Sequence, residues 1–436
     1  MTLESTRPIR FLLVAVGSIG DVYPYLAIGA ALGARGHEVA ILANPYYEKS
    51  IRDLGLDFLS IGTLEQQQKL LSHPDAWHPR VGWRVWIRLA ARWPMRQIYQ
   101  CIADNYVPGK TVIAASWGGF GARVAQERLG VPMATLHLEP DKFPSAYRTS
   151  VMPPPLLTWD WLPRSFKRFE FRLADVVADR VVVPRLNALR AELDLPPVKR
   201  VVTNWVHSPQ RVIGLFPDWW AEPQPDWPPE SVLTGFPLWD RAEGPDPADS
   251  DAFLDAGDPP IVFSPGAINL QARRFFEAAA DACRLLGRRG MLLTKYPELL
   301  PSRLPEGVGH FAYVRYGTLL PRVAAMVSHA GIGTSAQCLA AGVPQVVTPL
   351  MHFHRDTAAR MKGLGVAVSI PPEAVTGRLL VRALEKMLES PQVAESCRRV
   401  AARFEGADPI ARTCDLLEEL AGSDGQSSSD AHGPTE

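Results

Sequence analysis

The chain has 436 residues, enough for two domains of roughly 150–200 residues, each with its own core. Its 46 basic side chains balance 46 acidic ones, and a net charge of zero argues against a nucleic-acid binder that relies on bulk electrostatics. Five scattered cysteines without CxxC spacing point to neither a zinc site nor a disulfide framework, and no apolar run reaches the ~18 residues of a membrane span, so a cytoplasmic protein is expected.

Arg10 to Val16 reads as a buried strand, Gly17 to Asp21 as its turn, Val22 to Arg35 as a helix closed by Gly36, and Glu38 to Ala43 as the next strand. This is a Rossmann-like opening, but it lacks GxGxxG and the acidic residue that would meet a nicotinamide ribose, so a dehydrogenase is disfavoured. Asp21 has two readings: a carboxylate serving the helix N-terminus, or a general base taking a proton from a hydroxyl. From 80 to 96 an arginine recurs every fourth residue among Trp83, Trp86 and Trp93. That pattern fits either peripheral contact with an anionic membrane or a solvated helix face, and Arg164 to Arg172 is a second basic and aromatic piece.

Thr111 to Ala115 and Met133 to Leu136 are further strands around a helix from Gly121 to Leu129, and His137 follows at a carboxyl edge as a second candidate base. Prolines gather between Met152 and Pro237, where connections are expected. An acidic linker then carries Asp249-Ser250-Asp251, a DxD string that precedes a helix rather than ending a buried strand, so no metal site is assigned to it. Strands resume at Pro260 to Ser264, Met291 to Thr294 and His310 to Val314. After a strand ending at Val327, His329-Ala330-Gly331-Ile332-Gly333-Thr334 turns into a helix, and a strand from Gln345 to Thr348 completes a β-α-β unit. A glycine-rich turn into a helix N-terminus is a seat for an anion such as a phosphate. His329 and Thr334 add donors, and Gln337 lies one turn on.

The string from His329 to Gln337, with Ala341-Gly-Val-Pro344 after it, resembles the donor-binding signature of family 1 glycosyltransferases of the GT-B fold. Gly17-Ser-Ile-Gly-Asp21-Val-Tyr-Pro24 is similar to the opening of many bacterial members. Pro197 to Asp240, with its His-Ser-Pro-Gln core, resembles the rhamnosyltransferases of rhamnolipid synthesis, which use a dTDP-sugar and a hydroxylated fatty acid dimer. The resemblance covers roughly residues 10 to 405. It implies an α/β fold of two Rossmann-like domains facing across a cleft: an acceptor domain over 1–240, a linker over 241–258, a nucleotide-sugar domain over 259–405, and a helix over 406–421 crossing back to the first domain. The polar residues 422–436 are expected to be disordered.

The resemblance further implies a nucleotide diphosphate sugar held by Gly266, Tyr313, His329, Gly331, Gly333, Thr334, Gln337, His354 and Asp356, and an inverting transfer with Asp21 or His137 as base, without metal or bound cofactor. The co-substrates would be a nucleotide-sugar donor and a hydrophobic, hydroxyl-bearing acceptor. Four positions depart from the pattern. Ala267 stands where relatives have Ser, Arg315 where they have Pro, and Phe353-His354 where many have the Asp-Gln that holds sugar hydroxyls. A phenyl ring there suits a deoxysugar such as rhamnose; the alternative is a catalytically impaired homologue acting as partner or regulator of another transferase.

Overall fold

The computed structural model describes residues 8–427 apart from 74, 77, 79–80, 83–84, 86–94, 153–155, 158, 160, 241–247 and 267–271. Phe11, Leu12, Leu13 and Val14 are all fully buried, as a strand covered on both faces must be. They belong to β1 (Arg10–Val14), an interior strand of a seven-stranded sheet. Its other strands are β2 (Glu38–Ala43), β3 (Asp57–Ser60), β4 (Thr111–Ser116), β5 (Met133–His137), β6 (Arg211–Gly214) and β7 (Ser231–Leu233), in the order β3-β2-β1-β4-β5-β6-β7. A six-stranded sheet follows: β8 (Ile261–Ser264), β9 (Gly290–Leu293), β10 (Val308–Phe311), β11 (Ala325–Ser328), β12 (Gln345–Val347) and β13 (Ala367–Ser369), in the order β10-β9-β8-β11-β12-β13. All neighbouring strands are parallel.

Strand order reverses between β1 and β4 in one sheet and between β8 and β11 in the other. At such switch points the loops leaving the carboxyl ends diverge and open a crevice. The loops concerned are those carrying Gly17 to Asp21, Trp117, Gly266, and His329 to Thr334. The topology alone therefore aims these sequence strings at binding crevices.

Helix α1 (Ile19–Ala34) begins three residues earlier than its sequence pattern suggests, because Ser18 and Asp21 form a reciprocal capping box that draws the glycine turn into the first helical turn. Helix α2 (Arg164–Glu192) was visible in the sequence only as its basic and aromatic start. It buries Lys167, Ala178, Val182 and Leu186 and exposes Phe166, Phe169, Leu173 and Val176, so no single apolar face announces it. The Asp249-Ser250-Asp251 string lies inside the helix Ala248–Asp255, where Asp251 pairs with Arg322. The arginine and tryptophan face of 80–96 falls, except for Arg96, largely outside the described residues; Arg96 pairs with Glu192 at the end of α2.

Three further helices matter below: α3 (Ile332–Ala340), α4 (His352–Gly363) and α5 (Pro409–Ser427). The last continues through residues 422–427, which the sequence had suggested would be disordered. It returns to the first sheet, where Cys414, Leu416, Leu417 and Leu420 join the core containing Phe11, Leu13 and Ile28. Arg35 donates to Asp415 at 2.8 Å and to Glu418 at 2.9 Å. Since Leu417 is fully buried in that core, Leu417→Ala is expected to cost about 2–5 kcal/mol in urea unfolding, against near-neutral substitution of an exposed position on the same helix.

Candidate active site

One cavity of about 680 Å³ is lined from both halves of the chain, by Asp21, Glu139 and Lys142 on one side and Gly266, His329 and Thr334 on the other. Asp21 is held in place by its capping role. Its Oδ2 accepts from the Ser18 backbone N–H at 2.7 Å and from Ser18 Oγ at 2.9 Å. Gly17, at φ +145°, leaves room for this carboxylate, because any Cβ there would overlap it. Burial raises the Asp21 pKa above the ordinary carboxylate value, opposed by the two Ser18 hydrogen bonds and by Lys142. The carboxylate is thus fixed through one oxygen at the helix N-terminus and lines the cavity wall.

The opposite wall is the turn from β11 into α3. Ala330 takes a left-handed conformation, φ +65°, and is fully buried. Gly331 then caps α3 without a side chain, so among the described residues no side chain caps its first-turn N–H groups. The His329 ring is packed between glycines: a Cβ on Gly331 would stand 2.6 Å from Nε2, and one on Gly266 would stand 3.1 Å from the ring. Burial pushes its pKa down to about 4, against the upward pull of a hydrogen bond with the Ser264 backbone, so the ring is neutral at physiological pH. Among the described residues, its Nδ1 has no hydrogen-bond partner. Neutral imidazole, open N–H groups and the helix dipole make a seat for an anion.

Around this seat, Thr334 and Ser264 are hydrogen-bonded by the buried hydroxyl of Tyr316, and Gln337 Nε2 donates to the Trp239 carbonyl at 3.3 Å. Tyr313, Gly333 and Gln337 all line the cavity. Ala267 lies outside the described residues.

Two expected site residues have polar atoms engaged by other side chains or backbone. Asp356 does not line the cavity: its Oδ1 accepts from Val151 N–H at 2.8 Å and its Oδ2 from Arg360 Nε at 2.6 Å. Arg360 in turn reaches the Trp220 carbonyl and Ser150, so this pair ties α4 to the first half of the chain. His137 borders the cavity but is almost fully buried, with Nε2 3.0 Å from Nδ1 of His207 and its ring edge-on to Phe143. Burial, then His207, pushes its pKa well below the ordinary value, which is the state of a packed pair and not of a base presented to substrate. His354 backs the seat instead of facing outward from it, its ring meeting His329 edge-on at 4.7 Å and its Nδ1 accepting from Met351 N–H at 3.2 Å.

Sequence reasoning passed over Glu139, Asp141 and Lys142, although two charges of opposite sign stand side by side just beyond a strand's carboxyl edge. Lys142 Nζ contacts both Asp141 oxygens, at 3.0 and 2.8 Å, and His352 Nε2 reaches Asp141 Oδ2 at 3.1 Å from the start of α4. Burial works against the Asp141 carboxylate, but Lys142 and His352 outweigh it and hold the pKa below the usual range. Glu139 is pushed up to about 8 by burial, with Lys142 opposing and Asp141 and Asp21 adding. Among the described residues, no group of three or more His, Cys, Asp and Glu side chains is placed to hold a metal ion.

Comparison with known proteins gives this geometry its chemistry. Residues 11–151 match the glycosyltransferase family 28 N-terminal domain, and residues 294–414 match the C-terminal domain of erythromycin biosynthesis protein CIII-like proteins. The chain is 26% identical to an O-mycaminosyltylonolide 6-deoxyallosyltransferase of Streptomyces fradiae, over 94% of this chain and 97% of the relative. The chain is a glycosyltransferase. Its fold is GT-B, with TM-scores of 0.70 to the glycotransferase of kitacinnamycin (22% identity, 95% of this chain and 100% of the other) and 0.66 to the spinosyn rhamnosyltransferase SpnG complexed with thymidine diphosphate (17% identity, 94% and 100%).

In this glycosyltransferase, Gly331→Ala is expected to drive the His329 ring from its slot and weaken nucleoside diphosphate binding by about tenfold or more in calorimetry, while the melting temperature moves by only a few degrees. By NMR, His329 is expected to titrate near pH 4 in the free protein and at higher pH with a nucleoside diphosphate bound, since a nearby anion favours the protonated ring. A midpoint near the ordinary value in the free protein would contradict a buried seat.

Proposed function

We propose that the enzyme moves a sugar from a nucleotide diphosphate sugar to a hydroxyl of a hydrophobic small molecule, with inversion and without a metal. The observation that carries this reading is the sharing of one cavity by Asp21 and the turn from His329 to Thr334. The acceptor oxygen attacks the anomeric carbon as the bond to the diphosphate breaks, and Asp21 takes the hydroxyl proton. The electron pair leaves with the diphosphate, whose charge is met by the open N–H groups of α3, by the helix dipole and by His329. His329, Gly331, Gly333 and Thr334 hold the diphosphate; Gln337, Tyr313 and Gly266 line the rest of the nucleotide's path.

A dTDP-linked deoxysugar is the proposed donor. In support, a relative is named for 6-deoxyallose, and a structural neighbour is named for rhamnose and was solved with thymidine diphosphate. Phe353 lines the cavity and offers a ring to a sugar methyl group. The acceptor wall includes Met152, Leu156, Phe171, Leu173 and Val177, which suits a lipid or another largely apolar natural product.

The exposed side of α2, with Phe166, Phe169 and Val176 flanked by Arg168 and Arg172, is proposed as a peripheral contact with an anionic membrane. Phe169→Glu should then lower cosedimentation with phosphatidylglycerol vesicles; binding equal to that of the unaltered protein would remove this contact.

Purified protein is expected to turn over dTDP-rhamnose or a related donor in the presence of EDTA. Asp21→Asn should lower kcat by ~10²–10⁴-fold with the donor KM little changed. His329→Ala should lose turnover and nucleotide affinity together. Full activity in Asp21→Asn, or activity abolished by EDTA and restored by a divalent ion, would contradict the mechanism.

A further inference from the structure

Lys142 and Lys295 are the lysines that line the cavity among the described residues, and they differ in setting. Lys295 is exposed after β9, whereas Lys142 is fixed between the two halves of the chain. Asp141 receives the Lys142 ammonium at 2.8 and 3.0 Å, and the same carboxylate receives His352 Nε2 at 3.1 Å from across the cleft. The Asp141 side chain is only 3% exposed, so this anchor is shielded from water. Lys142 Nζ also lies 5.6 Å from the Phe353 ring centre and 5.9 Å from that of Trp117, within range of cation–π attraction.

An ammonium carries three N–H groups, and the Asp141 carboxylate can occupy two of them. At least one remains for the cavity that Lys142 helps to wall. What it meets there must accept a hydrogen bond and tolerate two aromatic rings beside it. A pyranose does both, since its hydroxyl oxygens accept hydrogen bonds while its C–H faces lie against rings. The first turn of α4 places this cluster next to the diphosphate seat: it carries His352 and Phe353, and also His354, whose ring meets His329.

We propose that Lys142, anchored by Asp141 and His352 and flanked by Phe353 and Trp117, binds hydroxyl oxygens of the sugar being transferred, so that the first half of the chain completes the donor subsite. This assignment rests on the donor reading given above. It also gives a role to the tie between Asp141 and His352, which closes the cleft over the sugar and sets the Lys142 ammonium at a fixed height above it.

The test compares dTDP with dTDP-rhamnose, and UDP with UDP-glucose as a second pair, by calorimetry on the full-length protein. Lys142→Met should leave binding of the free nucleotide within about twofold and weaken binding of its sugar conjugate by about tenfold, the scale of one charge-assisted hydrogen bond. Should Asp141, left with His352 as its partner, prevent folding, the double variant Asp141→Asn with Lys142→Met leaves neither charge behind and is expected to give the same selective loss. Equal weakening of nucleotide and conjugate, or no loss for the conjugate, would overturn the subsite. If the unaltered protein bound neither nucleotide of the two pairs, the diphosphate seat itself would fail, and the sugar subsite with it.

Discussion

A helix cannot satisfy its own first N–H groups, and the arrangement of this protein follows from where α3 begins. Gly331 caps the helix without a side chain, Ala330 is held in a left-handed turn, and two glycines keep the His329 ring in a slot beside the open N–H groups. The result is a site of partial positive charge built almost wholly from backbone. Such a site needs no reorganisation when negative charge develops on a leaving group. The second sheet serves to hold β11 and β8 side by side so that this turn and Gly266 converge.

The first sheet repeats the same geometry with opposite chemistry. Its switch point presents Asp21, and the end of β5 leads to Glu139 and Asp141, so carboxylates face the anion seat across one cavity. Three carboxylates lining one cavity would repel one another and the substrate's diphosphate without compensation. Lys142 supplies it by pairing with Asp141, while burial keeps Glu139 toward its neutral form. The histidines divide in a related way. His329, His137, His207 and His354 all have pKa values pushed below the ordinary range by burial, so the cavity's polarity at neutral pH is set by carboxylates, one anchored lysine and backbone N–H groups.

The two sheets and the glycine turn into α3 were legible because they use short-range signals. Buried parallel strands are continuous apolar runs, as in Phe11 to Val14, and a phosphate turn is a string of small residues between a strand and a helix. Asp21 was legible for the same reason, lying three residues beyond the capping Ser18. What escaped was decided by partners far away in sequence. Asp356 is a site residue in the family pattern, yet one of its oxygens accepts from the distant Val151 N–H. His137 stands at a carboxyl edge, yet His207, seventy residues on, takes its Nε2. Asp141 gains meaning only through His352. Helix α2 was missed for another reason: it is solvated or cavity-facing on most of its circumference, so its apolar residues follow no single stripe.

The central claim is that α3 begins at a diphosphate seat that shares its cavity with Asp21. A crystal structure with a bound nucleoside diphosphate tests it most directly. Both phosphates are expected at the N–H groups of Ile332 to Thr334, with His329 in contact and the far side of the diphosphate facing Asp21. Phosphates bound away from this turn, with His329 still closed between Gly266 and Gly331, would contradict it.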